Sequence, residues 1–300
     1  MSILVVGTAA YDALKSPFGE VERALGGSAV YFALAACNFS HVSICAVVGK
    51  DFEAADLELL EHKGVDISGV ERSNGETFFW KGEYHEDLNT AHTKETRLGV
   101  LADFDPQISD EHVDAEVVFL ANVDPVVQLK VLNQMTNPKI VAMDTMNFWI
   151  DGKPNELREV LSQVDMLLIN DGEAAMLSGS RNILRTGRMI REMGPKTVCI
   201  KRGEYGVIVF HEAGMFATPA YPLETIKDPT GAGDSFAGGF LGYLASQHGD
   251  LSMHNIRNAA VYGSTVASFT CEEFSVARLA RLDREMVDER FELFRELTQF

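Results

Sequence analysis

The feature that most constrains this chain is a series of short apolar runs at residues 3–6, 42–48, 117–120, 140–143, 166–169, 197–200 and 207–210, polar only at Ser43 and Thr197. A strand exposed on one face alternates apolar and polar residues, whereas continuous runs suit strands buried on both faces. Helical stretches lie between them at 56–60 and 155–164, and Val287, Phe291, Phe294 and Leu297 form a helical stripe expected to be core. This alternation predicts an α/β fold, a doubly wound, mostly parallel sheet flanked by helices. One polar segment, 73–97, breaks the rhythm with an aromatic, strand-forming stretch at 77–84. Together with residues 12–23 it is expected to form a small β lid on a single domain of 300 residues.

Charge narrows the partners. Lys and Arg number 26 against 44 Asp and Glu, a net charge of −18, which excludes the electrostatic footprint of a nucleic-acid or anionic-membrane binder. A phosphate-bearing ligand would need a local device to hold it on so acidic a chain. The one long uncharged stretch, 24–49, is interrupted by Gly26, Gly27, Ser28, Asn38, Ser40, His41 and Ser43, so it reads as helix, turn and buried strand instead of a membrane span. Cys37, Cys45, Cys199 and Cys271 make no C-x-x-C pair, and the amino terminus has no basic region ahead of its apolar run. A cytoplasmic protein with reduced thiols is the expectation.

The segment Asp228-Pro229-Thr230-Gly231-Ala232-Gly233-Asp234, followed by an uncharged helix, supplies the local device. Small residues ahead of a helix let its N–H groups converge where the helix dipole favours a phosphate oxygen. Asp234 has two readings, as a helix cap or as a general base acting beside that anion site. Gly238, Gly239 and Gly242 inside the helix point to another backbone passing close by.

Here the sequence resembles the PfkB, or ribokinase-like, family of carbohydrate and nucleoside kinases. Residues 228–234 match its carboxy-terminal signature, Gly26-Gly27-Ser28-Ala29 part of its amino-terminal one, and Asn170-Asp171-Gly172-Glu173 its N-x-x-E motif. The resemblance implies an ATP-dependent phosphotransferase with Asp234 as base and the amides of Gly231, Ala232 and Gly233 as anion hole. It implies that Asn170 and Glu173 organise Mg²⁺ and the nucleotide phosphates, Glu173 through water. Gly203 and Gly206 would form the turn beside ATP, where Lys201 or Arg202 either touches phosphate or makes a solvated pair.

For the acceptor, the resemblance assigns Asp12 to sugar hydroxyls and Gly26 and Gly27 to a close backbone approach. Asn122 and Asp124, and Asn147 likewise, follow strands at the end where open α/β sheets bind ligands, or serve as turn and cap residues. The chain departs from the family in three places. Tyr31 replaces an Asn of the signature, Phe148 and Trp149 follow 144–147, and Cys271-Glu272-Glu273-Phe274 stands where a glycine-containing turn is usual. Asp228 and Thr230 would begin a monovalent-cation site, K⁺ in the family, whose other half is not visible. With no cationic clamp in the acceptor loops, a neutral sugar is the first expectation. The alternative is a nucleoside whose base stacks on Tyr31, Phe78, Trp80 or Tyr84. A catalytically silent sugar binder is a third reading, and a homodimer through the lid a further expectation. No G-x-x-x-x-G-K-[ST] and no G-x-G-x-x-G after the first strand occurs, which disfavours P-loop and dinucleotide chemistry.

Overall fold

The computed structural model describes residues 1–299. Its strands are β1 (Ser2–Val6), β2 (Ala10–Ser16), β3 (Gly19–Gly26), β4 (His41–Val48), β5 (Asp66–Arg72), β6 (Phe79–Tyr84), β7 (Ala91–Arg97), β8 (Val117–Leu120), β9 (Ile140–Met143), β10 (Met166–Asn170), β11 (Thr197–Lys201), β12 (Val207–His211) and β13 (Gly214–Thr218). They form a nine-stranded sheet of order β13-β12-β11-β10-β9-β8-β1-β4-β5 and a four-stranded sheet of order β3-β2-β6-β7. From β5 to β11 the large sheet is parallel, and β12 and β13 join antiparallel at one edge.

All seven apolar runs lie in the large sheet. Alternation along β1 divides the core between the two faces: Ile3 and Val5 pack with helices Ser28–Ala36, Ala232–Ser246 and Met253–Thr270, while Leu4 and Val6 pack with Pro154–Leu161. Each apolar side chain so buried contributes about 1.5–3 kcal/mol. The interior glycines of Ala232–Ser246 permit the helix packing. A Cβ on Gly238 would come within 2.5 Å of the Phe32 carbonyl oxygen, and one on Gly239 within 2.9 Å of that of Tyr262.

Two expectations are corrected. The stripe on helix Arg284–Thr298 is core at Val287 and Phe294 but leaves it at Leu297, which is 62% exposed. Strands β5 and β13, which have no continuous apolar run, are additions at the two edges. Edge strands are wetted along one side and need no such run.

The smaller sheet begins where the chain leaves β1 through residues 7–9, and β2 and β6 pair in parallel at its centre. It draws on both segments 12–23 and 73–97, with residues 73–78 serving as connection. Tyr11 fastens it to the large sheet's layer. Its phenol donates to Asp56 Oδ2 at 2.6 Å and accepts from the Glu53 amide at 2.9 Å, while the Arg23 guanidinium lies 3.8 Å from its ring centroid.

Candidate active site

Parallel strands β1, β8, β9, β10 and β11 end along one edge of the large sheet, and the side chains that follow them converge there. On one side lies Asp12 of β2, flanked in register by Ala24 and Trp80. Its carboxylate sits against Gly26, where any Cβ would come within 2.0 Å of Oδ2. Burial, with the nearby charges of Asp228 and Asp234, pushes its pKa up to about 8. Gly27, at φ 100°, begins helix Ser28–Ala36 and brings its Cα against the Thr8 carbonyl, a contact that excludes a side chain. Trp80 and Tyr84 alternate onto the same face of β6 as each other, and the Trp80 ring lies over the bare Cα of Gly82 between them.

The segment 228–234 closes this side. Gly231, at φ 75°, is the N-cap of helix Ala232–Ser246, which has no side-chain cap. The Ala232 amide, expected to help hold an anion, donates instead to the Pro229 carbonyl at 3.1 Å. Both carboxylate oxygens of Asp228 are engaged, accepting from the Thr230 and Ser275 amides at 2.9 Å each. The Thr230 hydroxyl donates to the Tyr84 phenol oxygen at 3.1 Å. These bonds brace the turn. In place of the family's glycine turn, Ser275 itself takes the left-handed conformation, at φ 58°.

On the other side four charged groups gather. Lys201, at the end of β11, pairs with Asp144 at 2.9 Å, and their side chains are only 15% and 9% exposed. Burial opposes the ammonium, but Asp144 and Glu173 outweigh it and raise its pKa above the usual lysine value. Its Nζ lies beside the turn that opens helix Ala232–Ser246, 3.0 Å from where a Cβ on Gly233 would be. Lys201 is therefore no solvated turn residue, whereas Arg202 turns to the Tyr205 ring, 5.6 Å from its centroid. Burial and the Asp144 charge, opposed by Lys201, push Asp234 up to about 7. Burial and Asp144 raise Glu173 as well. Sequence reasoning missed Asp144 as a site residue, because its partner lies two strands away.

Asn170 and Glu173 form a reciprocal capping box on helix Asp171–Ser178: Asn170 Oδ1 accepts from the Glu173 amide at 2.8 Å, and Glu173 Oε2 from the Asn170 amide at 3.1 Å. The box aims Glu173 at Lys201 and leaves its other carboxylate oxygen to the cluster. Gly203, at φ 53°, lies under Asn89 from the β6–β7 hairpin, and Gly206, at φ 81°, packs on the Thr218 carbonyl. Two expected acceptor residues are instead spent locally. Asn122 accepts from the Trp149 indole at 3.0 Å, and Asp124 caps helix Pro125–Leu132 while pairing with Lys153. Asn147 begins helix Asn147–Gly152.

Residues 2–281 match the family described as pfkB family carbohydrate kinase. The chain belongs to this family. It is 33% identical over 247 residues to a cytidine kinase of Thermococcus kodakarensis, covering 80% of this chain and 87% of that one. Among solved structures, a nucleoside kinase of Methanocaldococcus jannaschii aligns with a TM-score of 0.77 at 21% identity, over 97% of this chain and 98% of the other. A ribokinase from Thermotoga maritima aligns with the same TM-score at 18% identity, over 97% and 99%. The fold is thus ribokinase-like, the protein is a kinase, and family membership implies ATP-dependent phosphotransfer with Mg²⁺. Among the described residues no helix is long and apolar enough to cross a membrane.

Proposed function

We propose that this PfkB-family kinase transfers the γ-phosphoryl group of ATP to a hydroxyl of a nucleoside, with Asp234 as general base. The observation that carries the nucleoside over a bare sugar is the aromatic surface beside Asp12. Trp80 is the register partner of Asp12, and Tyr84 follows it on the same face. A base has flat apolar area to offer such a surface, and a sugar alone has little. Identity of 33% to a cytidine kinase supports the same choice. The absence of cations in the acceptor loops, which led to a neutral sugar as first expectation, fits the ribose of a nucleoside equally.

In this scheme Asp12 accepts hydrogen bonds from the ribose diol, which stabilises its ionised form against the burial that opposes it. Asp234, poised near neutrality, takes the proton of the attacking hydroxyl. The Gly231 and Gly233 amides, with the Lys201 ammonium, face the charge that develops on the transferring phosphoryl. Among the described residues no three His, Cys, Asp or Glu side chains are grouped so as to hold a metal ion directly, so a Mg²⁺ beside Glu173 and Asp234 would be reached through water. Bound there, Mg²⁺ would neutralise phosphate charge, with Glu173 reaching it through water.

Steady-state turnover of ATP with cytidine, adenosine, ribose and fructose tests the assignment. A kcat/KM for one of the nucleosides at least about tenfold above that for ribose is expected, about the worth of one good aromatic contact. Preference for ribose or fructose would return the acceptor to the sugars, and saturable binding without turnover would favour the silent binder.

A further inference from the structure

Helix Pro125–Leu132 buries one polar side chain, Gln128, which is only 1% exposed. Its Nε2 faces three backbone carbonyl oxygens, those of Leu120 at 3.2 Å, Ala121 at 3.0 Å and Asp144 at 3.2 Å. These carbonyls stand at and just beyond the last paired residues of β8 and β9, Leu120 and Met143. Backbone groups that leave a ladder inside a protein need another partner, and this amide supplies it. The Gln128 Oε1 has no hydrogen-bond partner among the described residues. An idle buried acceptor is a cost, so the value of this carboxamide lies in its Nε2.

The Asp144 carbonyl and the Thr145 amide belong to one peptide group, a rigid plane, so a hold on the first is a hold on the second. The Thr145 amide donates to Asp144 Oδ1 at 2.7 Å, while Asp144 Oδ2 accepts from Lys201 Nζ at 2.9 Å. On the other side, the Asp144 amide donates to the Leu120 carbonyl at 3.0 Å. Rotation of the Asp144–Thr145 peptide would carry the Thr145 amide away from Oδ1 and free the carboxylate to turn from the ammonium.

We propose that Gln128 is a positioning residue for phosphotransfer: it fixes the Asp144–Thr145 peptide, and through it the Asp144 carboxylate and the Lys201 ammonium beside Gly233. The inference rests on the role given to Lys201 above and extends it to a buried side chain that acts through another residue. Misplacing a charged group in such a site by about 1 Å costs up to about 10²-fold in rate.

The test compares wild type with Gln128→Met, which keeps the unbranched shape and removes the donor, and with Val131→Ala, on the same buried face of the helix. For Gln128→Met, kcat is expected to fall about 10-fold or more with acceptor KM within about twofold of wild type. Val131→Ala should lower Tm by a few degrees and leave kcat within about twofold. A cycle with Lys201→Met separates positioning from a merely structural role. If Gln128 acts through Asp144 and Lys201, its substitution adds little to the loss that Lys201→Met already causes, whereas independent effects multiply. An unchanged kcat in Gln128→Met, an equal loss in Val131→Ala, multiplied losses in the double variant, or failure of Gln128→Met to fold would each overturn the positioning role and leave the proposed phosphotransfer standing. Wild-type kcat in Lys201→Met would remove the lysine's role and that of Gln128 with it. A wild type that turns over no acceptor would remove the proposed activity and the positioning role together.

Discussion

Thr230 and Tyr84 join the smaller sheet to the turn ahead of helix Ala232–Ser246: the threonine hydroxyl, one residue ahead of the Gly231 cap, donates at 3.1 Å to a phenol carried by β6. In the hairpin that follows Tyr84, Asn89 stands over Gly203. The smaller sheet thus touches both the turn that opens helix Ala232–Ser246 and the turn that follows β11. Its position and the order of the anion site are set together.

Loss of that bond should loosen the turn without disturbing the fold. Tyr84→Phe is expected to lower kcat by about 3- to 10-fold, the range of a single neutral hydrogen bond. ATP KM should change little, and ATP hydrolysis without acceptor should rise relative to transfer. Steady-state kinetics with and without acceptor check both.

Lys201 separates three carboxylates that otherwise repel one another. Replacing it by Met should cut kcat by about 10²-fold or more, as loss of a charge-stabilising donor does. The sign of the pH effect is fixed, because Lys201 lowers the pKa of Asp234. Without it, the ascending limb of the kcat profile at saturating acceptor, expected near pH 7 in wild type from the value of about 7 for Asp234, moves to higher pH. Lys201→Arg should retain most of the wild-type profile position.

Gly231 tolerates no side chain, since it combines φ 75° with a Tyr31 ring 2.3 Å from any Cβ. Gly231→Ala is expected to cost at least about 2 kcal/mol from strain and overpacking, read as a Tm lowered by several degrees.

Asp12 is bound at the expense of stability. Its folded pKa of about 8 lies above the 3.8 of a solvated aspartate, so the native state binds more protons than the unfolded chain between those values. Stability from this group is full below pH 4 and is lost as pH rises through about 8. Asp12→Asn should therefore raise Tm at pH 8.5 by several degrees, a gain that fades towards pH 4, while acceptor KM rises sharply. Thermal melts across that pH range test the sign.

The sheet was legible because its strands are buried on both faces and announce themselves as runs such as 42–48. Strands β5 and β13 were not, because an edge strand is stabilised by one neighbour and by residues from distant layers. The same contrast holds at the site. Asp12, Gly231 and Asp234 stand in local patterns, as do Asn170 and Glu173, whose capping box also explains their spacing. Asp144 became visible only through Lys201, 57 residues further along. Strand-end position marks ligand residues and helix caps alike, so the local partners of Asn122 and Asp124, which are Trp149, Val126 and Lys153, were not legible in the sequence.

The most direct test of the account is Asp234→Asn, assayed for turnover by steady-state kinetics and for ATP binding by calorimetry. A fall in kcat of about 10²-fold or more is expected, with ATP affinity within about twofold of wild type. Near-normal turnover would contradict it and reduce Asp234 to a residue of the helix's first turn.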